Sequence, residues 1–236
     1  TGVQTCALPI SPTDNPFIWE EPRFKATNIR GITHWGITPG TGIPLAAPGD
    51  YSVQFTLDGK TYREPFTVVK DPRIKATDEI LQASTALQVR VSKLLAETSG
   101  LVNQMEIWRK QIQDRIAANR FSADAAQLQK LDAEILKVEH QLVSRESMMS
   151  DDKQFPTAYK VYMNLVWLSG GVGQGASDEA GGVDYAPTAT QIRVTDEIQA
   201  ELDKAKAGFE HLKTTVLPAF NNSSTGEKQP IKDTLQ

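Results

Sequence analysis

The stretch TDEILQASTALQVRVSKLLAETSGLVNQMEIWRKQIQDRIAA, residues 77–118, decides the fold class of this chain. Apolar side chains recur in it every seven residues, and others fill the positions between them: Ile80, Leu87, Val91, Leu94, Leu101, Met105, Trp108 and Ile112. Side chains at this spacing share one face of an α-helix. Thr77 can cap the first turn, where Asp78 and Glu79 meet the positive end of the helix dipole. The stretch therefore predicts one long helix with a face that other elements must cover.

Two further helices are predicted between residues 122 and 168. The first can be capped by Ser122 and has apolar side chains at alternating intervals of three and four: Leu128, Leu131, Ile135, Val138 and Leu142. The short turn from Asn119 to Ser122 makes it an antiparallel neighbour of the long helix. The next helix opens at Pro156 and carries Tyr159, Tyr162, Met163, Val166 and Trp167.

The rest of the chain predicts a loop, a fourth helix and a tail. Residues 169–186 are rich in glycine and aperiodic, which favours a loop. The fourth helix begins at Pro187-Thr188, with Gln191 at capping-box spacing, and ends at Pro218. Its predicted buried stripe is Ile192, Ile198, Leu202, Ala205, Phe209, Leu212 and Val216. No stripe can be buried alone, so residues 71–220 predict an antiparallel helical bundle, and the polar residues 221–236 a disordered tail.

Residues 14–70 have the character of β-structure. Tyr51, Val53, Phe55 and Leu57 alternate with polar residues, and Tyr62, Phe66 and Val68 alternate after the turn Asp58-Gly59. This pattern predicts a hairpin with a two-residue turn. The segment is shorter than the ~100 residues of a complete immunoglobulin-like sandwich. The predicted fold class is therefore segregated α+β, a truncated Ig-like β-sandwich followed by a bundle with one long helix.

The first ten residues, TGVQTCALPI, have a different origin in our interpretation. They can be read back as ACT GGA GTT CAG ACG TGT GCT CTT CCG ATC, which resembles a translated sequencing adapter. We therefore exclude residues 1–10 from fold reasoning and expect the natural chain to continue upstream. Because Cys6 is the single cysteine, the remaining sequence predicts no disulfide, thiolate metal site or cysteine nucleophile.

Composition limits the classes of partner. The net charge is −4 at pH 7 and the pI is about 5.5, so no general attraction to nucleic acid or anionic lipid is expected. No apolar run approaches the ~20 residues of a membrane helix. We predict no nucleic-acid partner and no membrane span.

Residues that could carry chemistry do not form a recognisable motif. The histidines His34, His140 and His211 lack metal-ligand spacing, and we interpret them as surface or boundary residues. Adjacent acids occur at Glu20-Glu21, Asp151-Asp152 and Asp178-Glu179, and we interpret them as solvated loop residues. The glycine-rich run 170–175 follows a helix and lacks the ending of a phosphate loop. We predict no catalytic, cofactor or metal site; Trp19 and Trp35 are the candidates for ligand contact.

Several short motifs carry a family resemblance over most of residues 14–221. They are NPFIW at 15–19, APGDYSV at 47–53, LDGKTY at 57–62, VKDPR at 69–73, APT at 186–188 and LPAFN at 217–221. The chain resembles the C-terminal region of large bacterial secreted proteins built on sortilin-type or BNR-repeat β-propellers, often labelled glycosyl hydrolases or sialidase-like. The resemblance implies a secreted or periplasmic location and an upstream propeller in the same chain as partner. That propeller would hold any active site, so no catalytic residue is carried over.

Three functions follow as hypotheses. The first is a non-catalytic accessory region that packs, spaces or binds a partner, either carbohydrate or protein. The alternative is part of a glycosyl hydrolase or peptidase-like hydrolase whose active site lies in the propeller. The third is oligomerisation through the long helix, which an exposed second apolar seam on residues 77–118 would support. Leu81, Leu95, Val102 and Ile116 widen its apolar face, which could equally be bundle core.

Overall fold

The computed structural model describes residues 44–118, 123–144, 158–173, 185–223 and 230–234. It is mixed, with a two-stranded antiparallel sheet and several helices. The strands are β1 (Gly49–Leu57) and β2 (Lys60–Val68), and the helices are α1 (Asp78–Ala118), α2 (Ala123–Leu142), α3 (Val161–Val172), α4 (Ala189–His211) and α5 (Leu217–Ser223). The only sheet in the described ranges is this hairpin. The predicted strand at Phe17-Ile18-Trp19 lies outside those ranges.

The described residues divide into two compact units. The helical unit contains those within 94–166 and 196–236, and the hairpin unit those within 40–93 and 167–195. Helix α1 contributes to both units. Its bounds confirm the prediction of one helix over 77–118 to within a residue. Thr77 accepts a long hydrogen bond of 3.4 Å from the Ile80 amide at its Oγ1, as a capping residue should.

The core of the helical unit contains the C-terminal part of the predicted seam, in which Leu101 is only half-buried. Met105, Trp108 and Ile112 of α1 are fully buried, and the Trp108 ring stacks on Phe209 of α4 with centroids 5.1 Å apart. All five predicted apolar residues of α2 are buried. Arg109 of α1 bonds to both Asp132 and Glu139 of α2. A straight helix rises about 1.5 Å per residue and would place Arg109 tens of ångströms from Asp132 and Glu139. The chain therefore turns back between α1 and α2.

The widened apolar face of α1 is covered within the chain. Leu81 and Leu95 have exposed fractions of 8% and 1%, Val102 is fully buried, and Ile116 is half-buried. These positions therefore belong to the core or its border, and they do not form the exposed second seam that would support oligomerisation.

Helix α3 begins and ends later than predicted: residues 158–160 are not helical, so the predicted start at Pro156 is wrong and the helix begins at Val161. The prediction that loop begins at residue 169 is wrong for 169–172, because the helix continues through Gly170 and Gly171 to Val172. Ser169 and Val172 are buried, and the Gly171 carbonyl accepts a hydrogen bond of 2.8 Å from Gln191 Nε2. Packing and this tertiary bond outweigh the weak helix propensity of glycine. Trp167 is 55% exposed and lies off the buried stripe.

Helix α4 begins as predicted. Thr188 and Gln191 form a reciprocal capping box, with bonds of 2.8 Å from the Thr188 amide to Gln191 Oε1 and 3.2 Å from the Gln191 amide to Thr188 Oγ1. Ile192 is 43% exposed, so the buried stripe starts later, at Thr195, and its first apolar residue is Ile198.

The prediction that Pro218 ends this helix is wrong. A π-helical turn, Leu212–Val216, joins α4 directly to α5. The Leu217 amide donates to the Leu212 carbonyl, five residues back. Pro218 therefore lies inside a continuous helical stretch, as the second residue of α5. The extra residue also moves the next buried position from Val216, which is half-buried, to Leu217.

Part of the predicted disordered tail has a defined structure. Residues 221–223 belong to α5, and residues 230–234 lie against α1, where Ile231 is buried to 6% exposure.

Candidate interaction surface

The hairpin β1–β2 has one apolar and one polar face. Its register pairs Tyr51 with Phe66 and Phe55 with Tyr62, and each pair stacks, with ring centroids 5.8 and 5.0 Å apart. Val53, Leu57, Glu64 and Lys60 share this side by alternation. We call it the aromatic face.

The opposite face of the hairpin is held by side-chain hydrogen bonds. The register pair Thr56 and Thr61 bonds hydroxyl to hydroxyl at 3.2 Å, and Thr67 Oγ1 donates to Asp50 Oδ1 at 2.7 Å. Arg63 Nε donates to Ser52 Oγ at 3.0 Å. Cross-strand pairs of this kind fix the register of a sheet. The polar face therefore suits water, and the aromatic face does not.

The aromatic face is open to solvent. Its exposed fractions are 48% for Val53, 50% for Phe55, 58% for Leu57, 44% for Tyr62 and 49% for Phe66. Clustered exposure of large apolar side chains marks an interaction site in a folded protein.

The turn and the edges of the hairpin are also defined by the sequence. Asp58 and Gly59 adopt φ angles of 49° and 76°, which suit a two-residue turn of type I′ and confirm the predicted hairpin. Pro65 lies opposite Ser52, five pairs away from Leu57–Lys60, the pair that closes the turn. Hydrogen-bonded and non-hydrogen-bonded pairs alternate from the turn, so Ser52–Pro65 is a non-bonded pair and the Pro65 nitrogen lies on the outer edge. Because proline has no N–H to donate, a further strand could not pair with β2 at this position. The outer edge of β1 contains no proline.

The segments that flank the hairpin are bonded to α1 and to the residues just before it. The Leu45 amide donates to Gln88 Oε1 at 3.1 Å, and the Leu45 carbonyl accepts from Thr85 Oγ1 at 3.0 Å. After β2, Lys70 Nζ donates to the Ala76 carbonyl at 2.8 Å. These bonds hold the segments before and after the hairpin close to the first part of α1.

The helical unit contains a buried charge cluster that the sequence did not reveal. Arg109 donates to Glu139 at 3.0 Å and to Asp132 at 2.9 Å, and its guanidinium lies 3.4 Å from Glu106. The side chains of Arg109, Glu106 and Glu139 are at most 4% exposed. Burial alone would lower the pKa of Arg109, but Glu139, Glu106 and Asp132 together raise it above its ordinary value. A guanidinium held charged in this way stabilises the packing of α1 and α2 and cannot exchange protons with a substrate.

A signal for this cluster was present in the sequence. Asp132 and Glu139 are seven residues apart and border the apolar stripe of α2, and Glu106 and Arg109 share a face of α1. The pairing of these two faces becomes visible only when both helices are placed.

Most of the sequence-predicted site residues lie outside the part of the chain that the structure describes. Trp19, Trp35, His34 and the Glu20-Glu21 pair lie outside the described residues. His140 and His211 are exposed on α2 and α4. In the part of the chain that the structure describes, no cluster of three or more histidine, cysteine or acidic side chains could hold a metal ion.

A search of the described helices finds none that combines the length and apolar character of a membrane span. Comparisons with known protein families, with curated proteins and with solved structures find no match to this chain.

Proposed function

We propose that this chain is a non-catalytic accessory region of a larger secreted β-propeller protein, and that the aromatic face of its hairpin binds β-structure preceding it in the parent chain. The observation that carries the proposal is the stacked, half-exposed pair Phe55 and Tyr62 on a hairpin anchored to α1. Chain continuity favours an upstream partner, because the segment leading into β1 is itself fixed to α1 through Leu45.

The energetics support a docking role. Fully burying one large apolar side chain is worth about 1.5–3 kcal/mol, so covering several half-exposed ones would contribute a few kcal/mol. The preformed stacking and register lower the entropic cost of docking. Because the polar face already has its side chains hydrogen-bonded to one another, the aromatic face is the one whose burial by a partner would lower the free energy.

Binding between this chain and the upstream region of the parent, expressed separately, tests the proposal. Calorimetry should show association that the double variant Phe55→Ser/Tyr62→Ser weakens at least tenfold. The matched control, Gln54→Ser, alters the polar face next to the Phe55–Tyr62 pair without removing the Arg63–Ser52 bond, and it should bind normally. Equal weakening by both variants would count against docking through the aromatic face.

Catalysis provides a separate test. The described polar clusters serve packing, so we expect no turnover of glycoside or peptide substrates by this chain alone. Turnover that survives repurification would overturn the non-catalytic assignment and favour the hydrolase alternative.

A further inference from the structure

Residues 231 and 232 are held through their backbone by two side-chain amides. Asn221 of α5 accepts from the Ile231 amide at 2.9 Å and donates to the Ile231 carbonyl at 3.2 Å. Gln111 of α1 accepts from the Lys232 amide at 3.0 Å and donates to the Lys232 carbonyl at 2.7 Å. Each amide therefore reads the N–H and C=O of one residue, as a neighbouring β-strand would.

The alternation of these contacts shows an extended segment. In an extended chain, the N–H and C=O of one residue point to the same side, and those of the next residue point to the opposite side. Ile231 faces Asn221, and Lys232 faces Gln111. The segment therefore lies between α5 and α1 with both of its edges satisfied.

Two side chains of the segment are recognised as well. Ile231 is buried to 6% exposure. The Trp108 indole Nε1 donates to Asp233 Oδ1 at 2.9 Å, and Gln104 Nε2 donates to the Asp233 carbonyl at 3.2 Å. Lys232 is half-buried, and its bonds to Gln111 involve only its backbone. Selectivity for particular side chains thus comes from positions 231 and 233, and position 232 contributes little.

We propose that Gln104, Trp108, Gln111 and Asn221 form a binding groove for an extended peptide of the pattern aliphatic, any residue, aspartate, which residues 231–233 occupy in cis. Backbone reading supplies affinity for any extended chain, while the buried position and the indole donor select the side chains. The groove lies in the helical unit and is independent of the aromatic face, so the proposal goes beyond the proposed function.

Occupation in cis predicts how a free peptide behaves. A tethered segment competes at an effective concentration in the millimolar range, which weakens the apparent affinity of any added peptide. Weakening the tethered segment should therefore open the groove to a peptide in trans.

The test uses the full chain with Ile231→Ser/Asp233→Ala and a fluorescein-labelled peptide PIKDT, the sequence of residues 230–234. Fluorescence anisotropy should show saturable binding at least tenfold tighter than to the unmodified chain. Peptide PIADT should bind equally well, while PSKDT and PIKAT should lose about tenfold or more. Adding Gln111→Leu to the chain should weaken PIKDT by a similar factor.

Two measurements guard against misfolding and nonspecific binding. Circular dichroism must show native helix content; if the double variant lacks it, Asp233→Ala alone is used with the same peptides. The indole NMR resonance of Trp108 should shift in the variant and return towards its original position when PIKDT binds. Absence of saturable binding to a folded variant, or equal binding of PIKDT and PIKAT, would overturn the proposal and leave the segment as an internal brace.

Discussion

Arg109 and Glu139 form a buried ion pair between α1 and α2, with Nη1 and Oε2 3.0 Å apart and side chains 4% and 0% exposed. Asp132 and Glu106 complete the surroundings of the same guanidinium. An ion pair of this kind contributes little over a well-packed apolar pair but is costly to break on one side.

We therefore expect Arg109→Met to lower the free energy of unfolding by about 3–5 kcal/mol, because it leaves buried carboxylates without their cation. Urea denaturation followed by circular dichroism would measure the loss. Lys110→Ala provides the control, since Lys110 pairs with Asp114, whose side chain is 64% exposed. That variant should change stability by no more than about 0.5 kcal/mol. Similar effects of the two substitutions would show that the cluster is dispensable.

The glycines at 100 and 208 should respond oppositely to alanine. A Cβ at Gly100 would contact nothing within 4 Å, so Gly100→Ala should stabilise the protein by about 1 kcal/mol through helix propensity. A Cβ at Gly208 would lie 3.2 Å from Val138 Cγ2. Valine in a helix has one preferred rotamer and cannot turn away, so Gly208→Ala should destabilise. Thermal unfolding measures both, and Val138→Ala should rescue Gly208→Ala. Stabilisation by both alanines would contradict the close approach of α2 and α4.

Thr77→Ala should weaken the start of α1 and change a titration. The Thr77 hydroxyl is the main cause that lowers the pKa of Glu79, with the Glu79 backbone second. Because the folded pKa is depressed, the associated stability is present above the unfolded pKa and is lost as pH falls through the folded pKa. NMR titration should show the pKa of Glu79 rising towards its ordinary value in the variant, while loss of the cap costs about 1 kcal/mol at neutral pH. An unchanged pKa of Glu79 in the variant would show that the Thr77 hydroxyl does not lower it.

Gly59→Ala should loosen the hairpin. Gly59 has a φ of 76°, where a side chain costs about 1–2 kcal/mol. Hydrogen exchange of the amides in β1 and β2 should accelerate by about tenfold, while those of α2 keep their rates. Asp58→Asn is the control, because asparagine tolerates the φ of 49° found there. Equal exchange in Gly59→Ala and the unmodified chain would argue against a type I′ turn.

Features set by nearby residues could be predicted from the sequence. The heptad spacing placed α1, the three-four spacing placed α2, and Thr188 with Gln191 placed the start of α4. The alternating pattern around Asp58-Gly59 placed the hairpin. In each case the deciding interaction joins residues a few positions apart.

Features set by distant residues could not be predicted. The bond from Gln191 to Gly171 helps α3 continue through two glycines, and it joins residues 20 positions apart. The segment around Lys232 looked disordered because it is polar, yet its backbone is satisfied by Gln111, 121 positions away. The exposure of the aromatic face was also hidden, since alternation predicts an apolar face but not whether it is covered.

The π turn at Leu212–Val216 changes the phase of everything that follows it. An α-helix advances about 100° per residue. Because the π turn takes up one additional residue, the side chains of α5 lie roughly that angle away from their positions in a regular α-helix of the same sequence. Asn221 faces Ile231 only in the rotated phase. Winding the same residues as a regular α-helix would swing the Asn221 amide away from the segment it holds, whereas deleting a single residue from the π turn would restore regular winding and keep the present orientation of Asn221. The winding of the π turn thus determines whether Asn221 can hydrogen-bond to the backbone of an extended segment.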